Sequence, residues 1–227
     1  TMEANGHQFC SKPLVEVKPE QYAPITYGVD TLDALVKLIL TEGLTLGRRL
    51  YVCVDSARRV TVTTTYNGGE LRNPYRRFPL YEAVSDVPGV TIGHSMSQEQ
   101  AIVELQSLYA VTPDRDYLLS LLSRIDVNEG VSSVDNGVTQ EVNVRTGAVL
   151  KQATSVRPIV QLQPYRTFLE VEQPASDFLL RLDKEGHPAL YEADGGAWKL
   201  EAKRRIAAYL AEKLADQVEH GDVVVLV

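Results

Sequence analysis

The sequence predicts an α+β protein, because helix-like and strand-like segments follow one another without regular alternation. Three observations lead to this prediction: an amphipathic helix after residue 30, strand-like runs between residues 131 and 193, and a C-terminal helix followed by the strand DVVVLV. The length of 227 residues suits one large domain or two small ones packed closely together.

The N-terminal part of the chain predicts a leader, a helix and a β-hairpin. Residues 1–28 are polar and contain proline, and we interpret them as a mobile leader. Residues 29–227 are interpreted as one α+β domain, with a subdivision near residue 130 as an alternative. The first helix lies in DTLDALVKLILTEG, with Asp30 or Thr31 as its N-cap. Strands follow at Leu50–Val54 and Val60–Tyr66. Asn67-Gly68 then supplies a tight hairpin turn.

The middle of the chain predicts a helix pair and then a mostly antiparallel sheet region. Ser97 with Gln100 forms a capping box, while Thr112 caps a second helix that starts at Pro113. A short link makes these helices an antiparallel pair. The predicted strands are Val138–Val144, a strand from Val149, Val156–Leu162, Tyr165–Val171, Phe178–Leu182 and Leu190–Ala193. A helix from Ala197 and the terminal strand close the fold.

Composition narrows the class of protein. No apolar run approaches the roughly 20 residues that cross a bilayer, and the N-terminus lacks the pattern of a secretory signal. The two cysteines, Cys10 and Cys53, do not suggest a disulfide framework. We therefore expect no membrane association and a cytoplasmic location.

Charge is distributed unevenly. The net charge is −7, which argues against binding DNA through its backbone alone. Between Gly43 and Arg77, however, seven arginines face only Asp55 and Glu70, so this segment carries +5 and the remainder −12.

The arginine-rich segment contains the first candidate site. Arginine matches phosphate oxygens with a planar fork, and aromatic rings stack on bases. If the strand after Asn67-Gly68 returns antiparallel, arginines from both ends of the ribbon meet around one anion. The predicted ligand-binding residues are Arg58, Arg59, Arg72, Tyr75, Arg76, Arg77 and Phe78. The alternative is a solvated hairpin whose arginines pair with carboxylates.

The stretch ALYEADGGAWKLEA contains the second candidate. Gly195 and Gly196 turn a strand into the last helix, but Glu192 and Asp194 disfavour a phosphate at that helix N-terminus. We favour a structural corner in which Asp194 caps the helix and Trp198 anchors the core. Tyr191 and Trp198 as a partner surface, or a metal site, are the alternatives.

The alternation LEVE places Glu170 and Glu172 on one strand face, a spacing that suits Mg²⁺ in a nuclease. A solvated face with Arg166 or Arg181 as ion-pair partner is the favoured interpretation. The histidines (His7, His94, His187 and His220) lack metal-ligand spacing. We expect no metal and no cofactor.

The segments VDNGVTQEVNVRTGAV, VQLQPYRTFLEVEQPASDFLLRL and ALYEADGGAWKLEA resemble a family of phage and prophage proteins of Firmicutes. This family has no established activity. The resemblance implies a phage-encoded protein inside a bacterial host cell, with a role in phage DNA metabolism or in countering host defence.

We therefore favour a binding protein over an enzyme. Its ligand is predicted to be a nucleotide, such as a host defence signal, or single-stranded nucleic acid. The first alternative is an assembly protein that forms homo-oligomers through Tyr191, Trp198 or the edge of the VVVLV strand. The second is a metal-dependent nuclease that uses Glu170, Glu172, Glu192 or Asp194.

Overall fold

The computed structural model describes residues 2–4, 7–10, 15–17, 26–64, 77, 79–125, 134–135, 140–146, 150–183 and 186–227. Its first three strands, β1 (Met2–Ala4), β2 (His7–Cys10) and β3 (Val15–Val17), form an antiparallel sheet. These strands lie in the segment that we predicted to be a mobile leader. Strands of three or four residues are too short for a period of two to stand out in the sequence.

A five-stranded mixed sheet follows. It contains β4 (Tyr27–Val29), β5 (Leu50–Ser56), β6 (Arg59–Thr64), β7 (Pro79–Val84) and β14 (Val223–Leu226), in the order β14-β5-β6-β7-β4. The three central strands are antiparallel neighbours, whereas β14 and β4 join the edges in parallel.

Helices pack on this sheet and form the first hydrophobic core. They are α1 (Leu32–Thr41), a 3-10 helix (Gly43–Leu46), α4 (Ala197–Lys213) and α5 (Ala215–Glu219). Leu35 and Ile39 of α1 pack with Val52 of β5 and with Ile206 and Leu210 of α4. Each such buried side chain stabilises the fold by about 1.5–3 kcal/mol.

A second core is built from α2 (Gln98–Leu108), α3 (Pro113–Leu122), β11 (Ile159–Leu162), β12 (Ser176–Leu182) and β13 (Pro188–Glu192). The three strands form an antiparallel sheet in chain order. On the β11 edge, the Gln161 N–H donates to Asp114 Oδ2 at 2.7 Å. On the β13 edge, the Gly93 N–H donates to the Leu190 carbonyl at 2.8 Å. Some of the backbone hydrogen-bonding groups on both edges of this sheet therefore have partners.

A third antiparallel sheet contains β8 (Val134–Asp135), β9 (Gln140–Thr146) and β10 (Leu150–Val156). The two cores interleave in sequence: the second uses residues between Met96 and Leu190, while the first uses segments on both sides of this range and also Phe168 and Val171 within it. The predicted subdivision near residue 130 falls outside the described residues. The protein has the α+β fold that the sequence predicts.

The predicted N-caps of three helices are confirmed. The Oγ atoms of Thr31, Ser97 and Thr112 each accept an N–H three residues later, at 3.2 Å. No helix in the described part of the chain is long and apolar enough to cross a membrane.

The predicted strand Tyr165–Val171 is wrong. Residues 165–175 form a loop in which Arg166, Thr167 and Phe168 are all buried, which strand alternation does not allow. Gln173 replaces a neighbouring strand as hydrogen-bond partner. Its Oε1 accepts the Arg166 and Thr167 N–H groups at 3.0 and 3.2 Å, and its Nε2 donates to the Phe168 carbonyl at 3.1 Å.

Candidate functional site

Two arginines of the first candidate site, Arg58 and Arg59, have partners in their own surroundings. Arg58 donates from Nη2 to the Val87 carbonyl. Arg59 Nη2 lies 2.5 Å from Glu82 Oε2, on the neighbouring strand β7. Both guanidinium groups therefore have protein partners.

The strand register separates Arg77 from these two arginines. On β6, Arg59 pairs with Val84, and Thr63 pairs with Pro79. Four residues of strand, about 13 Å, therefore lie between the two ends. Arg77 precedes β7 at the Thr63 end, where its guanidinium lies 4.0 Å from the centre of the Tyr51 ring. The described arginines do not converge, because the antiparallel return begins at the end away from Arg58 and Arg59.

The other four predicted ligand-binding residues, Arg72, Tyr75, Arg76 and Phe78, lie outside the described residues. Their part of the nucleotide hypothesis stays a prediction.

The glycine corner caps the last helix. Gly195 and Gly196 both have positive φ angles, 63° and 80°, which glycine adopts without steric cost. This backbone bends round Asp194, whose two carboxylate oxygens accept the Gly196 N–H at 2.9 Å and the Trp198 N–H at 3.2 Å. Ser176 Oγ donates to the same carboxylate at 2.8 Å. The predicted capping by Asp194 is confirmed.

Asp194 is thereby held in its charged form. Burial raises the pKa of this carboxyl, but the N–H groups of Gly196 and Trp198, the Ser176 hydroxyl and the Arg166 charge lower it. Together they hold the pKa below its ordinary value.

Arg166 joins the corner to the 165–175 loop. We call Arg166, Ser176, Glu192, Asp194 and Trp198 the Arg166 cluster. The Arg166 guanidinium lies 3.7 Å from the centre of the Trp198 ring, and Nη1 lies 2.9 Å from Glu192 Oε1. Trp198 Nε1 donates to the same Glu192 oxygen at 2.9 Å, so these three residues form a closed ring of contacts. Arg166 also donates to Ser176 Oγ.

Burial makes this charge costly. Arg166 is only 5% exposed, and burial lowers its pKa to about 10 although Glu192 and Asp194 raise it. A pKa of about 10 still leaves the guanidinium charged at neutral pH.

A groove opens beside this cluster, between the β11–β12 strands and the start of α4. We call it the Trp198 groove. Its volume is about 360 Å³, and it is lined by Gln161, Ala175, Asp177, Asp194, Ala197, Trp198, Leu200, Glu201 and Arg204. Leu200 is 49% exposed next to the indole, and Asp177 and Arg204 are also exposed. Of the three carboxylates in the lining, Glu201 pairs with Arg205 Nε at 2.9 Å and Asp194 lies near the Arg166 charge. Asp177 is therefore the exposed carboxylate of the groove.

The carboxylates of the nuclease hypothesis are dispersed over separate structural roles. Glu170 Oε1 accepts the Leu32 N–H at 2.6 Å and so caps α1, while Glu172 pairs with Arg205 at 3.2 Å. Glu192 and Asp194 belong to the Arg166 cluster. Among the described residues, no group of three histidine, cysteine, aspartate or glutamate side chains is close enough to hold a metal ion.

The predicted interface residues lie around the groove. Trp198 lines it, Gly195 and Gly196 shape the turn before it, and Tyr191 is 41% exposed on β13. The VVVLV strand is the β14 edge of the five-stranded sheet. Sequence reasoning did not find Asp177, Leu200, Glu201 or Arg204. The helical spacing of the last three residues was the available signal, since i, i+1 and i+4 positions share one side of a helix.

Comparison of the chain with family models, with curated proteins and with solved structures found no match.

Proposed function

We propose that the protein is a binding protein whose Trp198 groove takes a cationic segment of a polypeptide. The observation that supports this is the lining itself: the exposed Leu200 and the half-buried Trp198 lie in one groove with Asp177, an exposed carboxylate, and with Glu201, which also pairs with Arg205. The apolar surface suits the stem of a lysine or arginine, and the carboxylates suit its charged end.

The groove is also preorganised. The Trp198 ring is fixed by the Arg166 guanidinium on its face and by Glu192 at Nε1. An aromatic ring that is already fixed loses little side-chain entropy on binding, and tryptophan is among the residues that dominate binding energy at interfaces.

A nucleotide fits this groove poorly, because its phosphates meet the exposed carboxylate of Asp177. The nucleotide hypothesis now depends on Arg72 and Arg76. The resemblance to phage proteins, and with it a role in a bacterial host cell, stays a prediction that the groove does not address.

The test is a titration that uses Trp198, the only tryptophan, as the fluorescent reporter. We expect blocked hexa-arginine to change its emission and blocked hexa-glutamate or ATP to leave it unchanged. Asp177→Asn with Glu201→Gln should weaken hexa-arginine binding about 3–10-fold, since each partly exposed charge contributes up to about 1 kcal/mol.

Glu212→Gln is the matched control, because it removes an exposed carboxylate from the far end of the same helix. It should bind hexa-arginine like the unaltered protein. Equal weakening by the control, or tighter binding of ATP than of hexa-arginine, contradicts the proposal.

A further inference from the structure

The charges that line the Trp198 groove differ in whether the folded protein already supplies a partner. Glu201 Oε1 lies 2.9 Å from Arg205 Nε, one turn further along α4. Asp194 accepts the hydrogen bonds of the glycine corner and lies near the Arg166 charge. A ligand has to compete with these partners for both carboxylates.

Asp177 on β12 and Arg204 on α4 are the groove charges that remain for a ligand. Both residues are exposed, and neither forms an ion pair with another described residue. Gln161, opposite Asp177 on β11, places Nε2 3.5 Å from Asp177 Oδ1, which is longer than an ordinary hydrogen bond. The groove therefore offers one carboxylate and one guanidinium to a ligand.

Two neighbouring arginines of α4 have different roles. Arg205 belongs to the fold, because it pairs with Glu201 at 2.9 Å and with Glu172 at 3.2 Å. Arg204 lies four residues after Leu200, and positions i and i+4 share one face of a helix. Its side chain therefore lines the groove on the same side of α4 as the exposed Leu200.

We propose that the bound segment carries an acidic side chain close to its basic one, with the basic side chain at Asp177 and the acidic side chain at Arg204. The inference rests on the proposed function, because it adds a second charge to the polypeptide that the groove takes. Arginine holds a carboxylate through two parallel hydrogen bonds, so this contact fixes how the segment lies between β12 and α4 as well as adding affinity.

The size of the groove limits how far apart the two charges of the segment are. Its volume of about 360 Å³ is near the lower end of the roughly 300–1,000 Å³ that ligand sites occupy. Few side chains fit into such a groove, so the two charged residues have to be near neighbours in the segment. In an extended segment, residues i and i+2 point to the same side, and a basic-x-acidic pattern therefore suits the groove.

Two blocked peptides test the second charge. Ala-Arg-Ala-Glu-Ala carries both charges, whereas Ala-Arg-Ala-Gln-Ala keeps the shape and loses the carboxylate. We expect the first peptide to bind the unaltered protein about 2–5-fold more tightly in the Trp198 fluorescence titration, since an exposed ion pair contributes up to about 1 kcal/mol.

Arg204→Gln assigns the preference to its residue. This variant should bind the two peptides equally, and it should bind hexa-arginine as well as the unaltered protein does or up to about fivefold more tightly, because a repelling charge is gone. Lys213→Gln removes an exposed cation from the last turn of the same helix and should keep the preference. Circular dichroism checks that both variants fold.

The outcomes distinguish this inference from the proposed function. If hexa-arginine binds but the unaltered protein does not distinguish the two peptides, the second charge is wrong and the cation-binding groove stands. If the preference survives in Arg204→Gln, or disappears in Lys213→Gln, the carboxylate binds elsewhere and the inference is wrong. If neither hexa-arginine nor either peptide changes the emission, both proposals fall.

Discussion

Replacing Arg166 by methionine tests whether the buried ion pair of the Arg166 cluster stabilises the fold. Methionine keeps an unbranched apolar stem like that of arginine, but it lacks the guanidinium end and its charge. Glu192 then loses a partner at 2.9 Å, and Trp198 loses the guanidinium 3.7 Å from its ring centre. Breaking a buried ion pair from one side costs about 3–5 kcal/mol. The Glu192 side chain is 30% exposed and can recover some hydration, so we expect about 3 kcal/mol.

Arg157→Met is a closely matched control. Arg157 also makes an ion pair, at 2.8 Å to Asp114, and also lies 3.7 Å from the centre of an aromatic ring, that of Tyr117. Its side chain, however, is 50% exposed. Solvent already screens that pair, so its loss should cost about 0.5 kcal/mol.

Urea unfolding followed by Trp198 fluorescence and by circular dichroism measures both free energies. We expect Arg166→Met to lower the midpoint several times more than Arg157→Met does. The double variant Arg166→Met with Glu192→Gln should regain part of the loss, because it removes the unpaired carboxylate. Equal losses for the two single variants refute the reasoning, since burial would then make no difference.

Three further substitutions have expected outcomes. Asp194→Asn should reduce the loss of stability that the protein shows on acidification. The pKa of this carboxyl is lowered in the folded state, so its contribution to stability is present above pH about 4 and disappears as the pH falls through the folded pKa. Unfolding free energies measured at a series of acid pH values check this. Glu170→Gln should lower the free energy of unfolding by about 1 kcal/mol through the lost charge at the start of α1, whereas Glu172→Gln should lower it by under about 0.5 kcal/mol. Thermal melts compare the two variants. Equal loss of Mg²⁺-dependent DNA cleavage in both would instead support the nuclease hypothesis. Tyr109→Phe should leave stability unchanged or raise it by up to about 1 kcal/mol, because this hydroxyl is buried without a hydrogen-bond partner among the described residues, and a clear loss in urea unfolding would contradict that account.

Local chemistry was readable from the sequence wherever a few neighbouring residues determine it. Thr31, Ser97 and Thr112 cap helices because a hydroxyl before a helical pattern reaches the N–H three residues on. Asp194 was predicted as a cap on the same grounds. The helix that starts at Ala197 matches its apolar spacing.

The features that were missed depend on contacts between distant segments. The 165–175 loop contains residue types that favour strands. In the structure, however, Gln173 supplies hydrogen bonds to its backbone, and Glu170 caps a helix 138 residues away in the chain. The carboxylate and guanidinium pairs, Arg166 with Glu192 and Arg205 with Glu172, join residues 26 and 33 apart. The position of Arg77 followed from the register of β6 and β7, which the turn signal Asn67-Gly68 alone does not set.

The two most distinctive stretches of the sequence, PYRTF and EADGGAW, meet in one place. Arg166 comes from the first, and Glu192, Asp194 and Trp198 come from the second. Phe168 packs in the first core and Phe178, beside Arg166, in the second, so the cluster lies where the two cores adjoin. The contacts that these residues make in the folded protein therefore account for both stretches, whatever the groove binds. Substituting these residues would disturb the fold around the groove as well as any ligand contact. Such variants therefore cannot report on binding alone. Asp177 and Glu201 line the groove outside the cluster, and for that reason the binding experiment depends on them.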